Sequence, residues 1–525
     1  MVRRMALLVV VVAALALASG GALRQARSAE VLPQTTIRAA PLLSYESSPF
    51  GFLPASIGQI PNQSFAEAQD IGVRWDRTSK AMYWNEIQPD INVASLNFTL
   101  ADLRATGIPA GMNVLQNIDV ENRLSPVGYS QPGSYMPIDV AKYQAFVTAT
   151  VERYDGDGVG DVANLQAPAK YWQVSNELSN NRANYPQFQA LTYNAIKAAC
   201  ADCTVLIGGV GGMPNSYINN FNSVYLPIIT ALNGQYVDVF DFHWYGNATG
   251  DYRRIDEVLP SIRAALDAHG FSATPIWVTE MGTYSGDPAE NPQVQSWPFQ
   301  TEEQQAGDLL KRYVYSQASG IKKIFSAFGL IEGWDNKNNY FNHTGLIYDG
   351  QDAFDRGNGV KKVGYYGYKL MTGKLEGSTY GQTLGGLPQY VYGYAFHRAG
   401  AADIDVIWYD DFAGGTATRD ATFSIAGTSA LVTNAITDQQ GNITSQTLPV
   451  TGGSITLTLG QSPVFVEPAA SPSVGGIAEE PDVRPIQNAQ HPSRASRLPF
   501  IIAAAGLLAA LTAGVAAMAG RLRLR

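Results

Sequence analysis

Cysteine is nearly absent, with two in 525 residues, Cys200 and Cys203. No second C-x-x-C pair completes a zinc site. The pair closes a helical pattern, where a small local disulfide in an oxidising compartment, or two free thiols, fits better than redox chemistry. Histidine is scarce too. His269, His343, His397 and His491 show no ligand spacing. Charged residues make up 15% against 46% hydrophobic, which excludes a disordered chain and calls for a packed core. Positive charge is in deficit, and the net charge of −9 argues against nucleic acid as a partner. No glycine-rich phosphate loop follows the first strand candidate, which weighs against a doubly wound open sheet.

The two ends are apolar. Arg3 and Arg4 precede an apolar run over residues 5–18, and Ala26-Arg-Ser28 before Ala29 supplies small residues. This pattern predicts a signal peptide over 1–29 and export. An uncharged run over 498–520 is long enough to span a bilayer, and Arg521, Arg523 and Arg525 follow it. Basic flanks stay cytoplasmic. The expectation is a single-pass protein of the cell membrane with its catalytic body outside.

Between these ends, residues 30–380 alternate short apolar runs with amphipathic segments. Strands are expected at 50–53, 72–77, 108–114, 171–177, 205–209, 237–245, 275–280 and 323–328. Ile255, Val258, Leu259, Ile262 and Leu266 share a helical face that stops before Gly270. Eight strand–helix units predict an α/β fold, a (β/α)8 TIM barrel. Residues 381–467 turn to alternating, β-branched segments such as Ile404-Asp-Val-Ile-Trp408, which predict a small antiparallel β-sandwich. Residues 468–497 read as a Pro-, Ser- and Ala-rich linker.

Barrel enzymes carry their chemistry where strands end at the C-terminal face. Strand two ends at Arg77, strand four at Asn176-Glu177, strand six at His243-Trp-Tyr245 and strand seven at Glu280. Two carboxylates from separate strands on one rim suit glycosidic cleavage. One must be protonated to donate to the leaving oxygen, and the other must be ionised to attack. Their separation decides between retention and inversion.

The runs Tyr171-Trp-Gln-Val-Ser-Asn-Glu177, Asp238-Val-Phe-Asp-Phe-His-Trp-Tyr245 and Pro275-Ile-Trp-Val-Thr-Glu280 resemble clan A of the glycoside hydrolases, nearest to the family 39 β-xylosidase-like members. Gly72-Val-Arg-Trp-Asp-Arg77 and Arg153-Tyr-Asp-Gly-Asp-Gly158 support it. The resemblance covers residues 48–467. It implies a retaining hydrolase of β-linked glycans working by double displacement, without a cofactor and outside the cell. It also implies an oligo- or polysaccharide substrate. Glu177 would be the acid/base and Glu280 the nucleophile. Asn176 would meet the sugar 2-hydroxyl, while His243 and Tyr245 hold the site. Arg77 would lie near the nucleophile, with Arg74 as the competing choice. Such barrels often end strand eight with a tryptophan under the sugar. Here Trp334 comes several residues late, which leaves either Trp334 or Phe328 for that place. This departure keeps a carbohydrate-binding surface protein in view, and a transglycosylase would use the same two glutamates.

Other acidic residues read as structural. Asp155-Gly-Asp157-Gly-Val-Gly-Asp161 resembles part of a calcium loop but lacks its closing bidentate glutamate, so an acidic turn is expected. Glu86 and Glu332 lie near strand exits and are read as structural, with Glu332 the better rival for a site role.

Overall fold

The computed structural model describes residues 45–469, apart from 213, 289–296, 334–337, 354 and 414. Eight strands form one parallel sheet: β1 (Phe50–Leu53), β2 (Trp75–Arg77), β3 (Asn113–Asp119), β4 (Tyr171–Val174), β5 (Thr204–Ile207), β6 (Phe240–Trp244), β7 (Ile276–Met281) and β8 (Ile324–Ala327). The order runs β5-β4-β3-β2-β1-β8-β7-β6, and a two-residue strand at Met82–Tyr83 adds to β3. Parallel bridges Leu206↔Val239 and Val210↔Phe242 join β5 to β6 and bring the sheet round into a barrel.

The helices follow from sequence periodicity. In the helix Ile255–Ala268 the buried residues are Ile255, Val258, Leu259, Ile262 and Leu266, the face that 3.6-residue spacing predicts. Gly270 then takes φ 84°, where a helix can stop without steric cost. Inside the barrel, Trp75, Leu115, Leu206, Val239, Trp277 and Phe325 form an apolar plug, with Tyr171 against it. Above that plug the inward positions turn polar.

The third strand differs from the sequence expectation. It runs over Asn113–Asp119 rather than 108–114. Ile108 and Met112 are buried in the larger core outside the barrel plug, while Leu115, Asn117 and Asp119 alternate on one side of the strand. An apolar run marked the approach to the strand. The strand itself carries polar residues because it supplies the rim.

β7 carries a bulge. Phe242 pairs with Val278 and His243 pairs with Glu280, so Thr279 is an extra residue. Its N–H leaves the ladder and donates to Asp241 Oδ1 at 3.0 Å.

The second sheet is antiparallel, built from β9 (Ser378–Thr383), β10 (Val391–Arg398), β11 (Ile404–Tyr409), β13 (Ser429–Asn434), β14 (Ser445–Pro449) and β16 (Val464–Pro468). β12 (Arg419–Ser424) pairs with β15 (Ser454–Leu459). Ile407, Val466, Phe423 and Leu457 from these two sheets share one core, as in a sandwich. Lys311 on the helix Glu302–Ala318 donates to Asp410 Oδ2 at 2.8 Å, a buried ion pair between barrel and sandwich. Cys200 and Cys203 are joined in a disulfide.

The expected membrane location is corrected. Among the described residues, no helix is long and apolar enough to cross a membrane. The expected span at 498–520, the signal peptide at 1–29 and, after residue 469, the linker expected at 468–497 lie outside the described residues, and Pro468 still belongs to β16.

Candidate active site

Arg77, Asn176, Glu177, His243, Tyr245 and Glu280 converge at the C-terminal ends of β2, β4, β6 and β7. Trp334 lies outside the described residues. Glu280 is the fixed point. Its side chain is 4% exposed, and Oε1 accepts from Arg77 Nη1 at 2.5 Å. Oε2 accepts from Tyr245 Oη at 2.6 Å and lies 3.3 Å from His243 Nδ1. Burial pushes this carboxyl up, but His243, Arg77 and Tyr245 more than offset it and hold Glu280 below its ordinary pKa.

Arg77 is itself held in place. Its Nε donates to Gln173 Oε1 at 3.0 Å and its Nη2 to Asn176 Oδ1 at 2.5 Å. Arg74, three residues earlier, falls on the opposite side of the strand. Arg77 is therefore the arginine that reaches the carboxylate.

Glu177 has a different setting. It follows β4 with φ 43°, and its side chain is 46% exposed. Its Oε1 lies 2.9 Å from His243 Nδ1. The Gly208–Gly212 stretch after β5 makes room for this half of the site. A Cβ on Gly211 would stand 2.5 Å from Glu177 Cδ, and one on Gly209 would stand 2.3 Å from His243 Nε2.

His243 is fully buried and sits between the two glutamates. Burial alone would lower its pKa. Glu280, then Asp241 and Glu177, outweigh burial and hold it up at about 10. The ring is thus an imidazolium at neutral pH. Asp241 lies beneath it, with Oδ2 at 3.7 Å from His243 Nε2. Asp241 is held by the Thr279 hydroxyl at 2.7 Å, the Thr279 N–H freed by the bulge, and Gln173 Nε2.

Sequence reasoning missed Asn117, Gln173 and Asp241. Asn117 Nδ2 donates to Gln173 Oε1 at 2.9 Å and to Ser175 O at 3.2 Å. A signal was present, because counting back by two from Glu177 reaches Gln173, and from Tyr245 reaches His243 and Asp241. Phe328, directly after β8, stacks on Tyr245 with ring centroids 6.0 Å apart. With Leu53, Arg77, Asn117, Asn176 and Glu280 it lines a rim cavity of about 190 Å³. Glu177, His243 and Glu280 each place one ligand-type atom within 4.8 Å of the other two.

No known family's sequence pattern and no curated protein matches the chain. Solved structures do share its fold. A family 39 glycoside hydrolase from Bacteroides cellulosilyticus WH2 aligns with TM-score 0.56 and 16% identity, over 77% of this chain and 77% of the other. A glucosidase from Croceicoccus marinus aligns with TM-score 0.54 and 16% identity, over 80% of this chain and 97% of the other. The chain thus has the barrel-plus-sandwich fold of these glycoside hydrolases.

Proposed function

We propose that the chain is a retaining glycoside hydrolase of β-linked glycans, with Glu280 as nucleophile and Glu177 as acid/base. One observation carries this reading. Glu177 follows β4 and Glu280 ends β7, and one carboxylate oxygen of each lies within 4.8 Å of the other, a close approach compatible with the narrow carboxyl gap of about 5–5.5 Å used for retention. The fold shared with a family 39 glycoside hydrolase and a glucosidase supports the class of reaction.

In the first step a Glu280 oxygen attacks the anomeric carbon. The bond to the leaving oxygen breaks, and the Glu177 carboxylic acid gives that oxygen its proton. A glycosyl ester on Glu280 results. In the second step Glu177, now a carboxylate, takes a proton from water as the water oxygen attacks the same carbon, and Glu280 leaves as carboxylate. Arg77, Tyr245 and His243 favour the ionised form of Glu280 at the start and the end of this cycle. Asn176, anchored by Arg77, faces the cavity in a position to meet a sugar hydroxyl, and Phe328 offers a ring beneath it.

The test is incubation of the full chain with aryl β-glycosides and with β-linked polysaccharides, following the first-formed anomer by proton NMR. The β-anomer is expected first. The α-anomer would overturn retention, and no cleavage of any of these substrates would overturn the enzymatic reading in favour of carbohydrate binding.

A further inference from the structure

Beyond β8 the chain builds a second carboxylate centre. Ile347 pairs antiparallel with Lys361 and parallel with Ile331. Tyr348 N donates to Val360 O at 2.9 Å and Gly359 N to Tyr348 O at 2.8 Å, so residues 347–361 form a hairpin. Glu332 N donates to Ile347 O at 2.9 Å, which lays Glu332 along the hairpin stem.

The Glu332 side chain is 1% exposed, and Oε1 accepts from the buried Lys362 ammonium. Lys362 also donates to Ser285 Oγ at 2.8 Å and His343 O at 3.4 Å. Oε2 of Glu332 is buried and accepts no hydrogen bond among the described residues. Leaving a carboxylate oxygen unsatisfied in the interior is costly. Asp349 and Asp355 of the hairpin approach the Glu332 carboxylate, and one oxygen of each of the three carboxylates lies within 4.8 Å of the others. Gly333 permits the approach, since a Cβ there would stand 2.2 Å from Asp349 Oδ2.

We propose that Glu332, Asp349 and Asp355 bind one Ca²⁺, which ties the segment after β8 to the 347–361 hairpin. The donors are all carboxylate oxygens in an irregular arrangement. Ca²⁺ accepts such a set and completes its shell with water, whereas Mg²⁺ demands a near-regular octahedron. Asp355, with His343 and Ser285, lines an open cavity of about 270 Å³ that gives an ion access. Asp349 Oδ1 accepts from Gln351 N at 2.9 Å and Asp355 Oδ2 from Asp352 N at 3.3 Å, as Asp161 accepts from Gly156 N and Gly158 N in the Asp155–Asp157–Asp161 cluster, but only the Glu332 cluster, of these two, holds a buried carboxylate oxygen with no partner among the described residues.

The experiment is calorimetric titration of CaCl₂ into the chelator-stripped full chain, with thermal unfolding alongside. The variants are D349N, D355N, E332Q and, as a control, D157N. One bound Ca²⁺ and a raised Tm are expected. D349N and D355N, at half-buried positions that tolerate an amide, should each weaken binding at least about tenfold because affinity follows ligand charge. D157N should bind as the parent does. No binding at millimolar Ca²⁺, binding that survives in D349N, D355N and E332Q, or binding lost only in D157N would overturn the proposal.

Discussion

Nδ1 of His243 lies 2.9 Å from Oε1 of Glu177. The same nitrogen lies 3.3 Å from Oε2 of Glu280, so one ring N–H faces both carboxylates. The imidazolium couples the two halves of the site, and its charge is available to whichever glutamate is ionised.

This coupling has a pH signature. His243 is held up at about 10 in the folded chain, while an unfolded histidine titrates near 6.5. The folded state therefore binds the extra proton between these values. The stabilisation is complete below about pH 6.5 and is lost as pH rises through about 10, at up to about 1.4 kcal/mol per pH unit. Urea unfolding of the full chain between pH 6 and 10 should show a downward slope that flattens in H243Q. Glu280 has the opposite sign. Its depressed pKa contributes stability above its ordinary value of 4.5, lost as pH falls through the folded value, and E280Q should lose less stability on acidification.

E280Q should also abolish turnover of aryl β-glycosides, by on the order of 10⁴-fold or more, since it removes the attacking oxygen. Far-UV circular dichroism should be unchanged. Near-parental turnover would remove Glu280 from the role proposed for it.

G211A tests the placement of Glu177. The added methyl would meet Glu177 Cδ at 2.5 Å, and the half-exposed side chain must swing away. Because small misplacements of a reacting group cost about a hundredfold, kcat should fall by roughly that factor while Tm stays near the parent's. An unaltered kcat would mean that Glu177 does not work from this position.

F328A removes the ring that lines the rim cavity beside Glu280 and stacks on Tyr245. A ring contact is worth about 1 kcal/mol, so KM for aryl glycosides should rise several-fold to about tenfold, with a smaller change in kcat. Inhibition constants for a simple sugar, measured on parent and variant, check this without relying on turnover.

Much of the barrel was legible because buried parallel strands and amphipathic helices write distinct periods. The strand that carries Glu280 and the one that leads into Glu177 were readable as short β-rich runs followed by a carboxylate, although the latter strand stops at Val174. The strand at Asn113–Asp119 was not, because only Leu115 on its inward side is apolar, Asn117 and Asp119 are polar, and the apolar residues just before it belong to the outer core. The bulge at Thr279 is a matter of register between two strands, which no single strand's sequence records. Gly209 and Gly211 are likewise uninformative alone, since their value lies in side chains from β4 and β6 that come within 3 Å of where a Cβ would be. The centre at Glu332 escaped for a related reason. Its partners are 17 and 23 positions further along and meet only when the hairpin closes.

The two glutamates are held very differently. Glu280 is locked by Arg77 and Tyr245, while Glu177 stands half in solvent over a glycine floor. Under the proposed roles, the group that bonds the sugar ring cannot adjust, and the group that serves the departing half of the substrate can. Such an enzyme is strict about the glycone it opens and lenient about the aglycone it releases. A set of leaving groups of varied size on one accepted sugar should therefore be cleaved with similar kcat/KM, whereas changing the sugar's stereochemistry at one carbon should not be tolerated.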